Sequence, residues 1–434
     1  MSNAPTLTPI STSSDLSDKV RLSFLCLFAV SVSLGVAVIS LAKILLLCYL
    51  PFEIYARRRK GVVSDFSLKT LNTTPVMLVV LLFMALTIAW ADIPKAEAFK
   101  EWFRHSRMLM LPMVIYLIRN RQDAVWILRC FFFAQMFAMF SSWLLWLGVP
   151  VPWATFGGAQ TTYGVFASYL EQSVMTVVAL NMLFYFRQEI LPSPKLKWAY
   201  PALLLLGVLN VLLLLPSMTG YIALLISLFV GFWIQFRNKP KVLVGALLIL
   251  ICGVLIGSPK IIARVEKIKQ EISQFDKQGF EDSSTGKRLN YWARSWQSFK
   301  DAPVLGHGVG TWNKEYNRMG GGVGGHSVNI RSPHSEYFLW MVEGGAIGLL
   351  SLLGLMLTLE LDRRKLQQNA RSALGAVLLV LMASNAYNGM LVGIGTGEYF
   401  CLAISLLLCL GLSKPQALNS AVTSPQSTNA APLP

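Results

Sequence analysis

His334 follows Ser332-Pro333 and stands at the head of a long apolar run. Serine is a favoured helix N-cap and proline a favoured first helical residue. That spacing predicts a helix with His334 in its first turn. A helix N-terminus disfavours the imidazolium and attracts phosphate. A neutral imidazole takes a proton from a hydroxyl near pH 7. A single histidine in a loop is otherwise most often an inert surface residue; its place at a helix start favours a chemical role.

Two neighbouring patterns imitate known phosphate sites and fail on inspection. Thr285-Gly286-Lys287-Arg288 lacks the first glycine of a P-loop, and Arg288 stands where the magnesium-binding hydroxyl belongs. Gly306-His307-Gly308-Val309-Gly310 is not set between a strand and a helix, so it is no dinucleotide fingerprint. No Asp-x-Asp, CxxC or His-x-x-x-His spacing suggests a bound metal.

These residues share one polar segment, 258–335, which also holds His307 and His326. Ile261, Val265, Ile268, Ile272 and Phe275 recur at helical spacing, opposite Arg264, Lys267, Lys269 and Glu271. A second helix is expected from Ser284-Thr285 to about Lys300, with Leu289, Trp292, Trp296 and Phe299 on one face. That face suits a membrane interface or packing against a bundle. Pro303 follows its end. Gly320–Gly325 holds five glycines and reads as a loop tip or a hinge that admits a bulky substrate.

The rest of the chain is apolar. Of 434 residues, 54% are hydrophobic and 14% charged, and mean hydropathy is +0.53. This excludes a disordered or fibrous chain and an ordinary cytosolic enzyme. Apolar runs lie near 22–36, 37–52, 75–91, 105–118, 124–148, 165–186, 198–215, 220–236, 241–257, 336–361, 372–391 and 398–412. The fold class expected is all-α: a polytopic transmembrane bundle of about twelve spans, with one large helical loop between spans nine and ten. The domains are then a disordered start (1–17), spans one to nine (18–257), the loop (258–335), spans ten to twelve (336–412) and a disordered tail (413–434).

The net charge of +16 follows the same plan. Arg57–Lys60, Arg119 with Arg121, Arg187–Lys197, Arg237–Lys241 and Asp362–Lys365 punctuate the spans alternately. The positive-inside rule puts them, and both termini, in the cytoplasm. The loop then faces the periplasm. No motif supports nucleic-acid binding. All six cysteines lie in apolar runs, so no disulfide framework is expected.

Several stretches together resemble the core signature of the O-antigen ligase and polymerase superfamily. They are Gly286-Lys287-Arg288-Leu289 with Trp292, Pro303 to Gly310, His334-Ser335-Glu336-Tyr337-Phe338, and Glu343 to Leu349. His334 and Gly345 have the spacing of that family's His-x10-Gly motif. The resemblance implies a glycosyltransferase of the bacterial inner membrane, an O-antigen ligase. It would move O-antigen polysaccharide from undecaprenyl pyrophosphate to a sugar hydroxyl of lipid A–core, inverting and without metal or other cofactor. Its partners would be that donor, that acceptor and the bilayer.

On that reading His334 is the general base and Arg288 stabilises the departing pyrophosphate, for which a guanidinium fork is suited. The family often carries a further arginine where Met218 stands here. Lys287, Arg104, Arg107, Arg264 and Arg331 are the substrate-binding candidates in its place, each alternatively a solvated charge. Tyr163 and Tyr337 are candidates for sugar contact. Lys43, Glu171, Gln172 and Glu343 are polar residues within spans and are either functional or structurally paired. An O-antigen polymerase or protein O-oligosaccharyltransferase is the alternative within the superfamily. A lipid-linked glycan transporter is a distant one, since no internal repeat links the two halves.

Overall fold

The computed structural model describes residues 12–156, 162–236, 284–320 and 329–412, together with residues 266, 269 and 270. Among these every regular element is helical. The expected span at 241–257, most of the amphipathic segment 261–275 and the tail 413–434 lie outside the described residues.

The run from Leu22 to Leu50 divides into α1 (Thr12–Ser31) and α2 (Val36–Lys60). Gly35, at φ 115°, supplies the backbone turn between them. Helix α1 begins inside the stretch 1–17 expected to be disordered. Ser17 is already hydrogen-bonded to Tyr49 at 3.0 Å, and Asp18 pairs with Arg119. The expected span at 105–118 is built differently: α4 (Lys95–His105) leads through a 3₁₀ turn into the short α5 (Met110–Leu117). Almost every α5 side chain is buried, as expected of a helix that is apolar all round.

The other long elements are α3 (Thr73–Leu86), α6 (Arg121–Trp146), α7 (Tyr169–Tyr185), α9 (Ala199–Leu209) and α10 (Met218–Phe236), with a one-turn α8 (Arg187–Ile190). The polar segment supplies α11 (Ser284–Asp301) and α12 (Trp312–Arg318). Helices α13 (Glu336–Arg363), α14 (Gln368–Tyr387) and α15 (Thr396–Leu412) complete the bundle. Four described helices, α2, α6, α13 and α14, are long and apolar enough to cross a membrane, and shorter apolar helices accompany them.

The basic clusters that lie among the described residues gather at one end of this bundle, and 237–241 lies outside the described residues. Arg119 and Arg57 both hold Glu53, Arg21 holds Asp123 at 2.8 Å, and Arg121 reaches Glu189 at 3.0 Å. At the same end Asp362 receives the backbone N–H groups of Asn72 and Thr73, both at 2.9 Å, and the Thr73 hydroxyl at 2.7 Å. One buried carboxylate thus caps the start of α3 from the far end of α13. Asp362→Ala leaves the two buried Thr73 donors unsatisfied and should cost on the order of 2 kcal/mol or more, measurable as a lower unfolding midpoint in detergent.

Polar residues inside the bundle are mostly structural. Lys43 pairs with Glu398 at 2.6 Å. Glu171 closes a capping box with Ser168 at the start of α7, and the Gln172 side chain accepts from the Val165 N–H at 2.7 Å.

Candidate functional site

Helix α11 sits on the end of the bundle opposite the basic clusters and is fixed by aromatic residues. The Trp312 indole donates to Ser295 at 2.8 Å, and the Tyr316 hydroxyl donates to Asn290 at 3.1 Å. These bonds hold α11 against α12. On the next face the Trp292 indole donates to the Pro333 carbonyl at 3.1 Å, and its ring stacks on Phe338 at 5.9 Å. Trp292 therefore fastens the helix that carries Arg288 to both flanks of His334.

The result is a compact cluster. The Tyr291 ring lies nearly parallel to the His334 imidazole, with centroids 5.9 Å apart. Arg288 is close enough for its charge to act on His334, and both Lys287 and Arg288 act on Tyr291. The Asn388 side chain, from the turn between α14 and α15, lies near enough to the imidazole to favour its protonated form. His334 is exposed to solvent, with the Tyr291 ring along its face. Partial removal from water, and then the Arg288 charge, hold its pKa below the ordinary 6.5, while Asn388 opposes them. Burial raises the Tyr291 hydroxyl above its usual value against the pull of the two cations.

The start of the following helix differs from the sequence reading. Ser335 is its N-cap and Glu336 its first residue. His334 precedes the helix in the left-handed region, at φ 51°, the single non-glycine residue there among the described residues. Such a conformation costs energy for a side chain with a Cβ and persists where the surroundings enforce it. Here the Trp292 bond to Pro333, the Tyr291 stack and Asn388 do so. Partial removal from water and the Arg288 charge both favour the neutral imidazole.

Helix α13 does not run unbroken as the apolar stretch 336–361 suggests. At Gly345 the backbone turns to φ 63°, ψ −153°. Residues 303–310 fill the break. His307 and Gly308 donate their N–H groups to the carbonyls of Val342 and Glu343, both at 2.9 Å, and Ala346 donates to Pro303 at 2.8 Å. Interrupted backbone inside a membrane bundle needs this kind of internal partner. Two glycines permit the approach. A Cβ on Gly345 would lie 2.4 Å from the Val304 oxygen, and one on Gly306 would lie 2.5 Å from the Gly345 nitrogen.

Glu343 locks the junction. One of its oxygens accepts from the Gly310 N–H at 2.9 Å, and the other meets His105 Nε2 at 2.9 Å. His105 is buried, edge-on to Trp340 at 5.1 Å. Glu343→Gln keeps the shape but weakens both bonds. It should lower transfer about tenfold through loosening of the 303–310 segment, each charge-assisted bond being worth roughly 1.5–3 kcal/mol. Steady-state kinetics at constant fold would check this.

The remaining candidates are scattered. Arg331 is exposed, three residues ahead of His334. The Tyr337 hydroxyl is taken by the Met382 carbonyl at 2.9 Å. Arg104 pairs with Glu101. Arg107 donates to the Val392 carbonyl, with Glu398 at 3.6 Å, so it braces the turn that carries Asn388. Tyr163 belongs to another loop, tied through its backbone to Ser142 and Leu214. His307 is held by the Ser298 carbonyl at 2.9 Å. Arg264 and His326 lie outside the described residues. Ser217, beside Met218, caps α10 by accepting from Gly220 N–H at 2.8 Å. Among the described residues no group of three or more His, Cys, Asp or Glu is arranged to hold a metal.

The main residues missed from sequence are Asn388 and His105. Asn388 sits in an Asn-Gly pair that reads only as a turn. His105 looks like a charge at the head of a span. Nothing local marks either, because their partners are distant in the chain.

Residues 202–353 match the family model described as O-antigen ligase. This match over part of the chain supports membership in the O-antigen ligase/polymerase superfamily. The matched segment runs from α9 to the middle of α13 and contains Arg288, His334 and Gly345, while Asn388 and His105 lie outside it. The chain is also similar to an uncharacterized protein of Haemophilus influenzae, 27% identical over 150 residues. That match covers 33% of this chain and 36% of the relative. Members of the superfamily are glycosyltransferase-like enzymes, and the family points to lipid-linked glycan substrates at a membrane.

Proposed function

We propose that this protein is an O-antigen ligase of the bacterial inner membrane. It transfers O-antigen polysaccharide from undecaprenyl pyrophosphate to a sugar hydroxyl of lipid A–core, with α11, α12 and His334 facing the periplasm and both termini in the cytoplasm. The observation that carries the reading is the placement of the His334 ring against Tyr291, within reach of the Arg288 charge, at the end of an apolar bundle.

The chemistry follows from this arrangement. In the neutral imidazole one ring nitrogen carries the proton and the other a lone pair. That lone pair accepts the proton of the acceptor hydroxyl as its oxygen bonds to the anomeric carbon. The bond from that carbon to the pyrophosphate oxygen breaks, and the electron pair leaves with the pyrophosphate. Arg288 donates to the departing oxygens, and Lys287 adds positive charge beside it. Attack opposite the leaving group inverts the anomeric carbon. Arg107 acts at a remove by bracing the Asn388 turn. The imidazolium then returns its proton to solvent.

The test is transfer by purified protein of undecaprenyl-pyrophosphate-linked glycan to lipid A–core. The pH dependence follows from the environment of His334. Its lowered pKa keeps the base form present below pH 6.5, so the acidic limb of kcat/KM should fall below that value. Arg288→Gln removes the charge that depresses the pKa and should move the limb upward. Asn388→Ala removes the side chain that raises it and should move the limb downward. A limb unmoved by both changes would argue against His334 as the titrating base.

Orientation has its own check. A single cysteine at Arg331 should react with a membrane-impermeant maleimide in intact spheroplasts. One at Arg364 should react only after lysis. The reverse pattern would refute the topology.

A further inference from the structure

At the end of the bundle away from His334, a cavity of about 660 Å³ opens between α7, α9 and α10. Its volume is that of a ligand site. Its inner walls are apolar, formed by Val177, Leu180, Val208 and Leu224, and its mouth is polar, formed by Arg187 and Tyr200. Tyr185 and Ser227 line it, their hydroxyl oxygens buried and without a hydrogen-bond partner among the described residues. A serine in an apolar helix ordinarily returns its proton to the carbonyl one turn back. Ser227 makes no such bond among the described residues, which leaves its hydroxyl free to donate elsewhere.

Arg187 and Glu189 both line the polar end of the cavity. Arg187 lies over the Tyr200 ring at 5.5 Å. Among the described residues no carboxylate is within ion-pair reach of it, and neighbouring Glu189 is engaged by Arg121 at 3.0 Å. Exposed Trp198 beside Lys197 marks the same level as a membrane interface.

We propose that this cavity holds one anionic phospholipid. An acyl chain fills the apolar shaft, the phosphate sits at Arg187, and the Tyr185 and Ser227 hydroxyls donate to the ester oxygens. The site is independent of the glycan-transfer reading, since it shares no residue with the His334 cluster.

The test is native mass spectrometry of the full-length protein released from nanodiscs of phosphatidylglycerol or phosphatidylcholine. One phosphatidylglycerol per chain should be retained, with phosphatidylcholine retained roughly tenfold less, as expected for one charge-assisted contact. Arg187→Gln, at an exposed position, should remove that preference. Ser227→Leu, which fills the shaft, should release both lipids. Equal retention of the two lipids by wild type would overturn the proposal. So would phosphatidylglycerol retention unchanged by either variant, or binding of glycerol phosphate without its tails.

Discussion

His334→Asn should lower glycan transfer by roughly 10²–10⁴-fold, the usual worth of a positioned general base, while the protein remains folded. Asparagine is the informative replacement. Position 334 adopts a left-handed backbone, at φ 51°, which asparagine accepts more readily than most residues. The variant therefore removes the base and leaves the segment's conformation in place. Thermal unfolding should match wild type within about 1 kcal/mol, as for a surface change away from the core. The loss should appear in kcat, because the proton is taken only in the transition state. A wild-type rate in the His334→Asn protein would remove His334 from the mechanism. A loss of rate together with a loss of fold would be read against Gly354→Ala as the folding control.

Gly345→Ala should be the most damaging small substitution in α13. Its φ and ψ of 63° and −153° fall where essentially only glycine is found, and the new methyl would meet the Val304 oxygen at 2.4 Å. The backbone strain costs about 1–3 kcal/mol, and the overlap adds about 1–3 kcal/mol more. The same change at Gly354, in the same helix with nothing within 4 Å of its added Cβ, should be neutral or slightly stabilising, since alanine is the better helix former. The contrast is measured by unfolding midpoints in one detergent. Equal effects at both positions would mean that the break at Gly345 does not organise the loop. A folded Gly345→Ala protein should still lose transfer, because Val304 to Gly310 and the start of α13 move together.

Much of this arrangement is legible in the sequence. The helix expected from Ser284 to about Lys300 is α11, Ser284–Asp301, because its aromatic face and the following proline are local signals. The pairing of Lys43 is anticipated in kind, though not its partner Glu398. The described basic clusters, separated in the chain, share one end of the bundle.

What stays hidden is long-range. An uninterrupted apolar run carries no sign that its helix breaks at Gly345. The break exists because residues 303–310 supply hydrogen bonds that compensate it, and those lie on another segment. His105 reaches Glu343 across 238 positions of sequence. Asn388 meets His334 only once α14 has returned to the same end. The serine-proline pair before His334 does suggest a cap, but the actual cap is Ser335. Trp292 and Tyr291 hold the histidine outside the helix, in a conformation that local propensity would not choose.

The central claim is that Arg288 and His334 serve transfer of glycan from a lipid pyrophosphate to lipid A–core. Its most direct test is one purified reaction containing undecaprenyl-pyrophosphate-linked glycan and lipid A–core, with a second lipid-linked repeat unit as competing acceptor, run with wild type, Arg288→Ala and His334→Asn. The account predicts glycan on lipid A–core for wild type and none for either variant. A longer lipid-linked polymer from wild type would identify a polymerase instead. Full activity in the two variants would contradict the assignment of the site.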